Sequence, residues 1–245
     1  MMSDIDWLNI DRQTLFRLRA DGRLEGENDP DNSPEPRFWL ARCREGSVFG
    51  VRADVPDDIA VELASLATDE PPFTLPITPP RYLDHYVALL ARISAVARQT
   101  FGMIYELPHS LRYESHAQLI SSDSEEGLRL AQFLSEQGMS QGLSELGVRS
   151  AADFWPPWCA AVVNGEVVSI AIAARISDVG AELGVATVRA FRGSGFAAAA
   201  TAGWSSLPAL RPRVLFYSTD QENISSQRVA MRLGLRLRGT SLRIT

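Results

Sequence analysis

The sequence has 245 residues, of which 45% are hydrophobic and 22% are charged, and its formal net charge is −6. This composition is typical of a globular chain that forms one large domain or two small ones. It contains no apolar run long enough to span a membrane, and its N-terminus, MMSDIDWLNIDRQ, carries acids where a signal peptide carries basic residues. We therefore expect a cytoplasmic protein that does not act at a membrane.

The basic residues restrict the chemistry further. All 24 of them are Arg, which excludes a Schiff-base lysine and the lysine of a phosphate-binding P-loop. Residues 189–245 hold 9 Arg against 2 acids, whereas residues 1–110 hold 11 Arg against 18 acids. A basic segment can bind nucleic acid, but this one lacks interleaved aromatic residues and the chain is mostly acidic, so we expect no nucleic-acid partner. An anionic small-molecule cofactor fits better.

The cysteines and histidines do not indicate a metal site. Cys43 and Cys159 are too few for a disulfide framework and too far apart for a pair of metal ligands. His85, His109 and His116 share no ligand spacing. We therefore expect no metal cofactor.

The first part of the chain predicts an α/β lobe over residues 1–110. Pro- and acid-rich loops flank a strand in SVFGVRADV and a helix in DDIAVELASLA. A second helical pattern follows in YLDHYVALLARISAVARQT, with its apolar residues on one face. The acidic excess of this lobe favours a cationic partner molecule.

After residue 115 the predicted elements are short and regular. A strand in AQLISS precedes a helix in EEGLRLAQFLSEQ, capped by Ser122 or Asp123, and a second helix in SELGVRSAADFW. Asn164-Gly165 predicts a hairpin turn within WCAAVVNGEVVSIAIAARI. The remaining elements are a strand in AELGVATV, a helix after the glycine turn, a strand in RVLFYST, a helix in NISSQRVAMRLG and a last strand in RLRGTSLRI.

Two stretches near the middle of this part have more than one interpretation. In FWPPW, residues 154–158, the prolines indicate an extended entry into the hairpin, and the tryptophans belong either to the core or to the wall of an acceptor pocket. In RGSGFA, residues 192–197, Gly193 and Gly195 let backbone N–H groups converge at a helix start, where Arg192 and the helix dipole add positive charge. That turn is suited to a pyrophosphate; otherwise it only starts a core helix.

The motifs RGSGFA and NISSQRVAMRLGL, together with the order of elements, resemble the GNAT superfamily of N-acetyltransferases over residues 115–245. AELGVAT…FRGSGFA with YSTDQEN is also similar to a bacterial subgroup of that superfamily. The resemblance implies an α+β fold with a mixed, centrally antiparallel sheet flanked by helices, and a GNAT-like domain over residues 111–245. It also implies that acetyl-CoA binds the loop through Arg192, Gly193, Ser194, Gly195, Phe196 and Ala197.

GSGFAA also fits a dinucleotide-binding fingerprint, with Asp220 as a possible ribose ligand. A Rossmann domain needs several further βα units after its first, and too few residues follow Asp220 to form them. The Asn164-Gly165 hairpin also makes the preceding strands antiparallel, unlike those of a dinucleotide domain. We therefore favour acetyl-CoA as the cofactor.

The resemblance further implies direct acetyl transfer to an amine, which needs a base, an acid and backbone donors. We expect the N–H groups of Thr187 and Val188 to polarise the thioester carbonyl. Asn223 and Ser226 are expected to reach toward the cofactor arm. Glu182 is the candidate base, because it is the only acid between Asp178 and Asp220; alternatively it is a solvated or salt-bridged strand residue.

The sequence indicates the general acid, the group that would protonate the departing thiolate, less directly. Many members of the superfamily carry a Tyr four residues before the Gly that ends the last helix, where this chain has Ala230. Tyr217 is the nearest substitute, with Ser218 a second choice, although Tyr217 is also interpretable as a packed strand aromatic. The predicted function is N-acetyl transfer to a small or amino-acid-like amine. The alternative is a non-catalytic acyl-CoA-binding module whose N-terminal lobe recognises a partner.

Overall fold

The computed structural model describes residues 2–150, 153 and 155–245. Its helices are α1 (Asp4–Leu15), α2 (Asp57–Thr68), α3 (Leu83–Ala91), α4 (Glu125–Gln137), α5 (Gln141–Glu145), α6 (Phe196–Trp204) and α7 (Ile224–Arg232). Its strands are β1 (Phe16–Leu18), β2 (Leu24–Glu27), β3 (Phe38–Arg42), β4 (Ser47–Val51), β5 (Gln99–Glu106), β6 (Gln118–Ser121), β7 (Trp158–Val163), β8 (Glu166–Ile176), β9 (Gly180–Thr187), β10 (Val214–Asp220) and β11 (Arg236–Ile244).

Nine of the strands form one sheet in the order β4-β3-β11-β5-β10-β9-β8-β7-β6, and β1 and β2 form a separate pair. Neighbouring strands in the large sheet are antiparallel except β9 and β10, which are parallel. The predicted α+β class with a mixed, centrally antiparallel sheet is confirmed.

Strand β5 joins the two parts of the chain. It precedes residue 110 in sequence, yet it lies between β10 and β11 and pairs with both. Strands β3 and β4 extend the same sheet beyond β11. The predicted lobe over residues 1–110 therefore contributes three strands to the sheet that the rest of the chain builds.

Side chains alternate between the two faces of the sheet along each strand. Both faces carry buried side chains, and helices cover both. One face packs against α6 and α7 through Phe196, Trp204 and Ala230, and against α2 and α3 near the β3 end. The other face packs against α1 through Trp7 and Leu8, and against α4 and α5 near the β6 end. The sheet therefore lies between two layers of helices.

Two local predictions are explained by backbone geometry. The hairpin between β7 and β8 turns at Asn164 and Gly165, whose φ angles of 51° and 80° are those of a tight two-residue turn. Helix α6 lies close to the sheet because its residues are small. A Cβ added to Gly203 would be 2.5 Å from the Sγ atom of Cys159 on β7.

Four predictions of local structure were wrong or incomplete. The helix predicted over residues 82–100 ends at Ala91, because the Arg37 guanidinium takes up carbonyls at its end, including Leu90 O at 3.2 Å, and the chain continues into β5. Helix α4 is capped by Ser124, not by Ser122 or Asp123. Helix α5 begins and ends earlier than predicted, and residues 151, 152 and 154 of that stretch lie outside the described residues. Helix α1 was not predicted.

Along residues 2–150, 153 and 155–245, no helix is both long and apolar enough to cross a membrane.

Candidate functional site

The parallel strands β9 and β10 pair at only three positions. Gly180, Ala181 and Glu182 face residues 214–216, and the ladder ends there. The carboxyl-terminal halves of the two strands therefore leave an opening in the middle of the sheet. Two clefts, one on each face of the sheet, reach this opening.

The first cleft, about 720 Å³ in volume, lies on the face covered by α6 and α7. The end of β9, the glycine turn and the starts of both helices form its walls. Arg192, Arg228 and Arg232 line it, and no acid is among its described lining residues. The cleft is therefore suited to an anion.

The glycine turn exposes backbone donors to this cleft. Gly193 and Gly195 have φ angles of 87° and 89°, a conformation that glycine adopts without strain. Gly195 precedes α6 and has no side chain with which to cap it, so the first N–H groups of α6 are left for other partners. A Cβ at Gly195 would lie 2.6 Å from the hydroxyl of Tyr113 and 3.3 Å from Nη1 of Arg232.

Helix α7 supplies two of the arginines, and sequence reasoning did not identify either. Arg228 and Arg232 are four residues apart, so they lie on one face of the helix, and that face forms a wall of the cleft. The excess of Arg in the last 57 residues was the available signal, but it did not indicate which of the nine face the glycine turn.

Most of the predicted cofactor residues come together in the first cleft. Its lining includes Thr187, Arg192, Gly193, Gly195, Phe196, Ala197, Tyr217, Asn223 and Ser226. Arg192 also donates from Nε to the carbonyl oxygen of Thr187 at 3.2 Å, which ties the loop to the end of β9. Asn223 caps α7 by accepting a hydrogen bond from Ser226 N at 3.0 Å. Ser194 lies in the exposed loop but does not line the cleft.

The backbone donors of β9 differ from the prediction. The N–H of Val188 donates to Val168 O at 2.9 Å, so it cannot also polarise a thioester, and the expectation for Val188 does not fit the structure. In an antiparallel ladder successive N–H groups point to opposite sides of the strand. Since Val188 N–H points to β8, the N–H of Thr187 points into the opening, as does that of Val185. Val185 was not predicted.

Tyr217 lies at the opening and lines both clefts. Its ring is 2% exposed, its hydroxyl lies 2.7 Å from Ser226 Oγ, and it donates to Ser226 O at 3.1 Å. Burial raises the pKa of Tyr217 to about 12, against the opposing effect of the hydrogen bond with Ser226. The hydroxyl therefore keeps its proton at neutral pH, as an acid must.

The second cleft, about 370 Å³ in volume, lies on the opposite face of the sheet beneath α1. Its charged lining residues are Asp11, Arg175, Glu182, Asp220 and Arg243. Three acids against two arginines make its lining more acidic than that of the first cleft. Val185, Tyr217, Asn223 and Ser226 line both clefts, which places the meeting point of the clefts at the end of the β9–β10 ladder.

Glu182 faces the second cleft as part of a buried ion-pair network. Its Oε2 atom lies 2.5 Å from Nη1 of Arg175, and Arg175 Nε donates to Glu27 at 2.6 Å. Burial alone would lower the pKa of Arg175, but the carboxylates of Glu182 and Glu27 raise it. Glu27 is also bound by Arg243 at 2.6 Å. The salt-bridged interpretation of Glu182 thus describes its surroundings, and its role as a base stays a prediction.

The tryptophans of FWPPW do not line either cleft. Trp155 donates from Nε1 to Ala173 O at 3.0 Å. Trp158 is 2% exposed and packs in the core between the sheet and the helices α4 and α5. The core interpretation therefore fits Trp158, whereas Trp155 is half-buried; Phe154 lies outside the described residues.

No protein-family model matches the sequence. A search of curated proteins also finds no match.

Several of the solved structures that this chain resembles at low identity are N-acetyltransferases or related proteins. A GCN5-related N-acetyltransferase from Kribbella flavida is 16% identical, with a TM-score of 0.43 over 67% of this chain and 63% of that chain, which is less than two thirds of its length. A GCN5-related N-acetyltransferase-like protein from Streptococcus suis is 15% identical, with a TM-score of 0.44 over 89% of this chain and 86% of the other. A GNAT-family acetyltransferase from Colwellia psychrerythraea is 12% identical, with a TM-score of 0.41 over 100% and 98%. Likenesses at this level do not assign an activity.

Proposed function

We propose that this chain is an acyltransferase that moves the acetyl group of acetyl-CoA to a primary amine. The observation that carries the proposal is the pair of clefts of different charge that meet where β9 and β10 separate. An anionic donor and a cationic acceptor can then approach one point from opposite faces of the sheet. The volume of the second cleft, about 370 Å³, supports a small or amino-acid-like amine as the acceptor.

The first cleft fits the pyrophosphate of acetyl-CoA. The uncapped N-terminus of α6 offers backbone donors, the helix dipole adds partial positive charge, and three arginines surround the site. Arginine binds phosphate oxygens through charge-assisted hydrogen bonds. The glycines allow this contact because a side chain at Gly195 would meet Tyr113 and Arg232.

The residues at the opening have the properties that the transfer needs. The N–H groups of Val185 and Thr187 point to where a thioester carbonyl would lie, and donors so placed stabilise the negative charge that develops on the oxygen. Tyr217 keeps a proton that it can give to the departing thiolate. The attacking amine must be neutral, and Glu182, which lines the second cleft, is the candidate that receives its proton, directly or through water.

Residues before position 110 line part of the second cleft, which is the proposed acceptor site. Asp11, Trp39 and Gly102 line the second cleft together with residues of β9, β10 and β11. We therefore propose that the N-terminal lobe forms part of the acceptor cleft. The second candidate function, a non-catalytic acyl-CoA-binding module, uses the same first cleft and is favoured by the Ala230 that replaces the usual tyrosine.

Two variants and one assay separate these functions. Acetyl-CoA binding is measured by calorimetry on the unmodified protein, on Arg232→Ala and on Arg236→Ala, which removes an exposed arginine outside both clefts. We expect Arg232→Ala alone to weaken binding by about 10- to 100-fold, the usual loss for a charge-assisted hydrogen bond. Equal affinities in all three proteins would contradict the placement of acetyl-CoA. Release of free thiol with a panel of primary amines then identifies a transferase, whereas binding without release identifies the module.

A further inference from the structure

Asp11 is a buried carboxyl without a partner. It lies on α1, its exposed fraction is 0%, and neither of its carboxylate oxygens makes a hydrogen bond among the described residues. It lines the second cleft. Burying an ionised carboxyl without a hydrogen bond is unfavourable, and a hydrogen-bond donor in the adjoining space would offset that cost.

Two further residues that line the same cleft carry a buried polar atom with no hydrogen bond to any residue that the structure describes. These atoms are Oγ of Ser218 on β10 and Nε of Arg243 on β11. Strand β5 lies between β10 and β11. On it, Ile104 pairs with Ser218 and Thr100 pairs with Arg243. Residues an even number apart share a face of a strand, so both side chains lie on the face covered by α1. Three elements thus contribute residues with unsatisfied polar atoms to the lining of one cleft.

The three atoms define the ligand that they can satisfy together. A carboxylate only accepts hydrogen bonds, Nε of an arginine only donates, and a serine hydroxyl does either. A ligand must therefore offer at least one N–H or O–H group and one accepting oxygen. The acids in and beside the cleft outnumber its arginines: they are Asp11, Glu182, Asp220 and the nearby Glu27, against Arg175 and Arg243. The donor group of the ligand is therefore favoured to carry a positive charge.

We propose that the second cleft binds a small primary amine bearing a hydroxyl or carbonyl oxygen, with its amine N–H groups donated to Asp11 and its oxygen held by Ser218 and Arg243. If the proposed function holds, on which this assignment of an acceptor rests, that amine is the acyl acceptor. Asp11 is then a binding residue that neither the glycine turn nor the resemblance to acetyltransferases indicates.

The test measures amine binding without acetyl-CoA, by calorimetry. The probes are 4-amino-1-butanol, its isostere n-pentylamine, which lacks the oxygen, and (4-hydroxybutyl)trimethylammonium, which lacks N–H groups. We expect the unmodified protein to bind 4-amino-1-butanol at least tenfold more tightly than either of the others. Asp11→Asn should lose at least tenfold in affinity for both primary amines, since an amide oxygen accepts an ammonium N–H but carries no negative charge.

Asp6→Asn is the matched control, because it makes the same change at an exposed position of the same helix. Ser218→Ala should bring the affinities for 4-amino-1-butanol and n-pentylamine closer together. No binding of any probe at tens of millimolar, or equal affinities in Asp11→Asn and the unmodified protein, would overturn the proposal and leave water as the partner of Asp11. Amine binding that depends on Asp11 in a protein that does not bind acetyl-CoA would refute the proposed function and support this site.

Discussion

Gly195→Asp is the sharpest test of where the pyrophosphate binds. The substitution places a side chain in a backbone conformation with φ of 89°, which is about 1–2 kcal/mol less favourable for a residue with a Cβ. Its Cβ would be 2.6 Å from the Tyr113 hydroxyl, so the tyrosine must move. Its carboxylate would also repel a phosphate. For unit charges 4 Å apart this repulsion is about 1 kcal/mol in water and about 4 kcal/mol at an effective dielectric constant of 20.

These repulsion energies correspond to a loss of acetyl-CoA affinity of about fivefold to a thousandfold. Isothermal titration calorimetry measures the affinity, and circular dichroism measures the melting temperature. Gly22→Asp is the control, since Gly22 has a similar φ of 81°, has open space around its Cβ position and lies outside both clefts. Both variants should lose stability, but only Gly195→Asp should lose binding. Undiminished affinity in Gly195→Asp would refute the reasoning.

Three other predictions concern the opening and the second cleft. Tyr217→Phe should lower kcat by about 10²-fold or more in steady-state assays with little change in acetyl-CoA affinity, because it removes only a proton donor; an unchanged kcat would make Tyr217 a packed aromatic. Glu182→Gln should lower kcat by about 10²–10⁴-fold, with partial rescue at higher pH where more amine is neutral, and near-normal turnover at neutral pH would limit Glu182 to its ion pair. Burial raises the pKa of Asp11; the charge of Glu182 adds to this effect, and the charges of Arg243 and Arg175 oppose it. The contribution of Asp11 to stability is therefore present at acid pH and is lost as pH rises through the raised pKa. Denaturant unfolding should therefore show the stability of Asp11→Asn increasing relative to that of the unmodified protein as pH rises from about 4 through the raised pKa, and a pH-independent difference would contradict this account.

Local sequence signals predicted the elements whose determinants are local. The hairpin at Asn164 and Gly165 and the glycine turn before α6 depend on backbone conformations that few residues other than Gly and Asn adopt, so their positions could be predicted. The end of α3 depends on Arg37, which is distant in sequence and takes up the carbonyl of Leu90. A helical periodicity over residues 82–100 contains no sign of that contact.

The two sides of the site differ in the same way. The first cleft is built around one contiguous loop, so its glycines and Arg192 could be identified from the sequence, whereas Arg232 reaches it from α7. The second cleft collects Asp11, Glu182 and Arg243 from the first helix, a central strand and the last strand. Such a site has no sequence spacing to detect. It follows from the order of the strands, which the local patterns did not determine.

The place of β5 in the sheet has a consequence for how the chain folds during synthesis. Tyr105 pairs with Tyr217, and Gln99 pairs with Ile244, so more than a hundred residues separate the strand from its partners. At a translation rate of roughly 5–20 residues per second, β5 leaves the ribosome on the order of ten seconds before β10 and β11 follow. During that interval both of its edges are open to pairing with other chains. The nascent chain is therefore most vulnerable to aggregation after β5 has emerged and before β11 has been made.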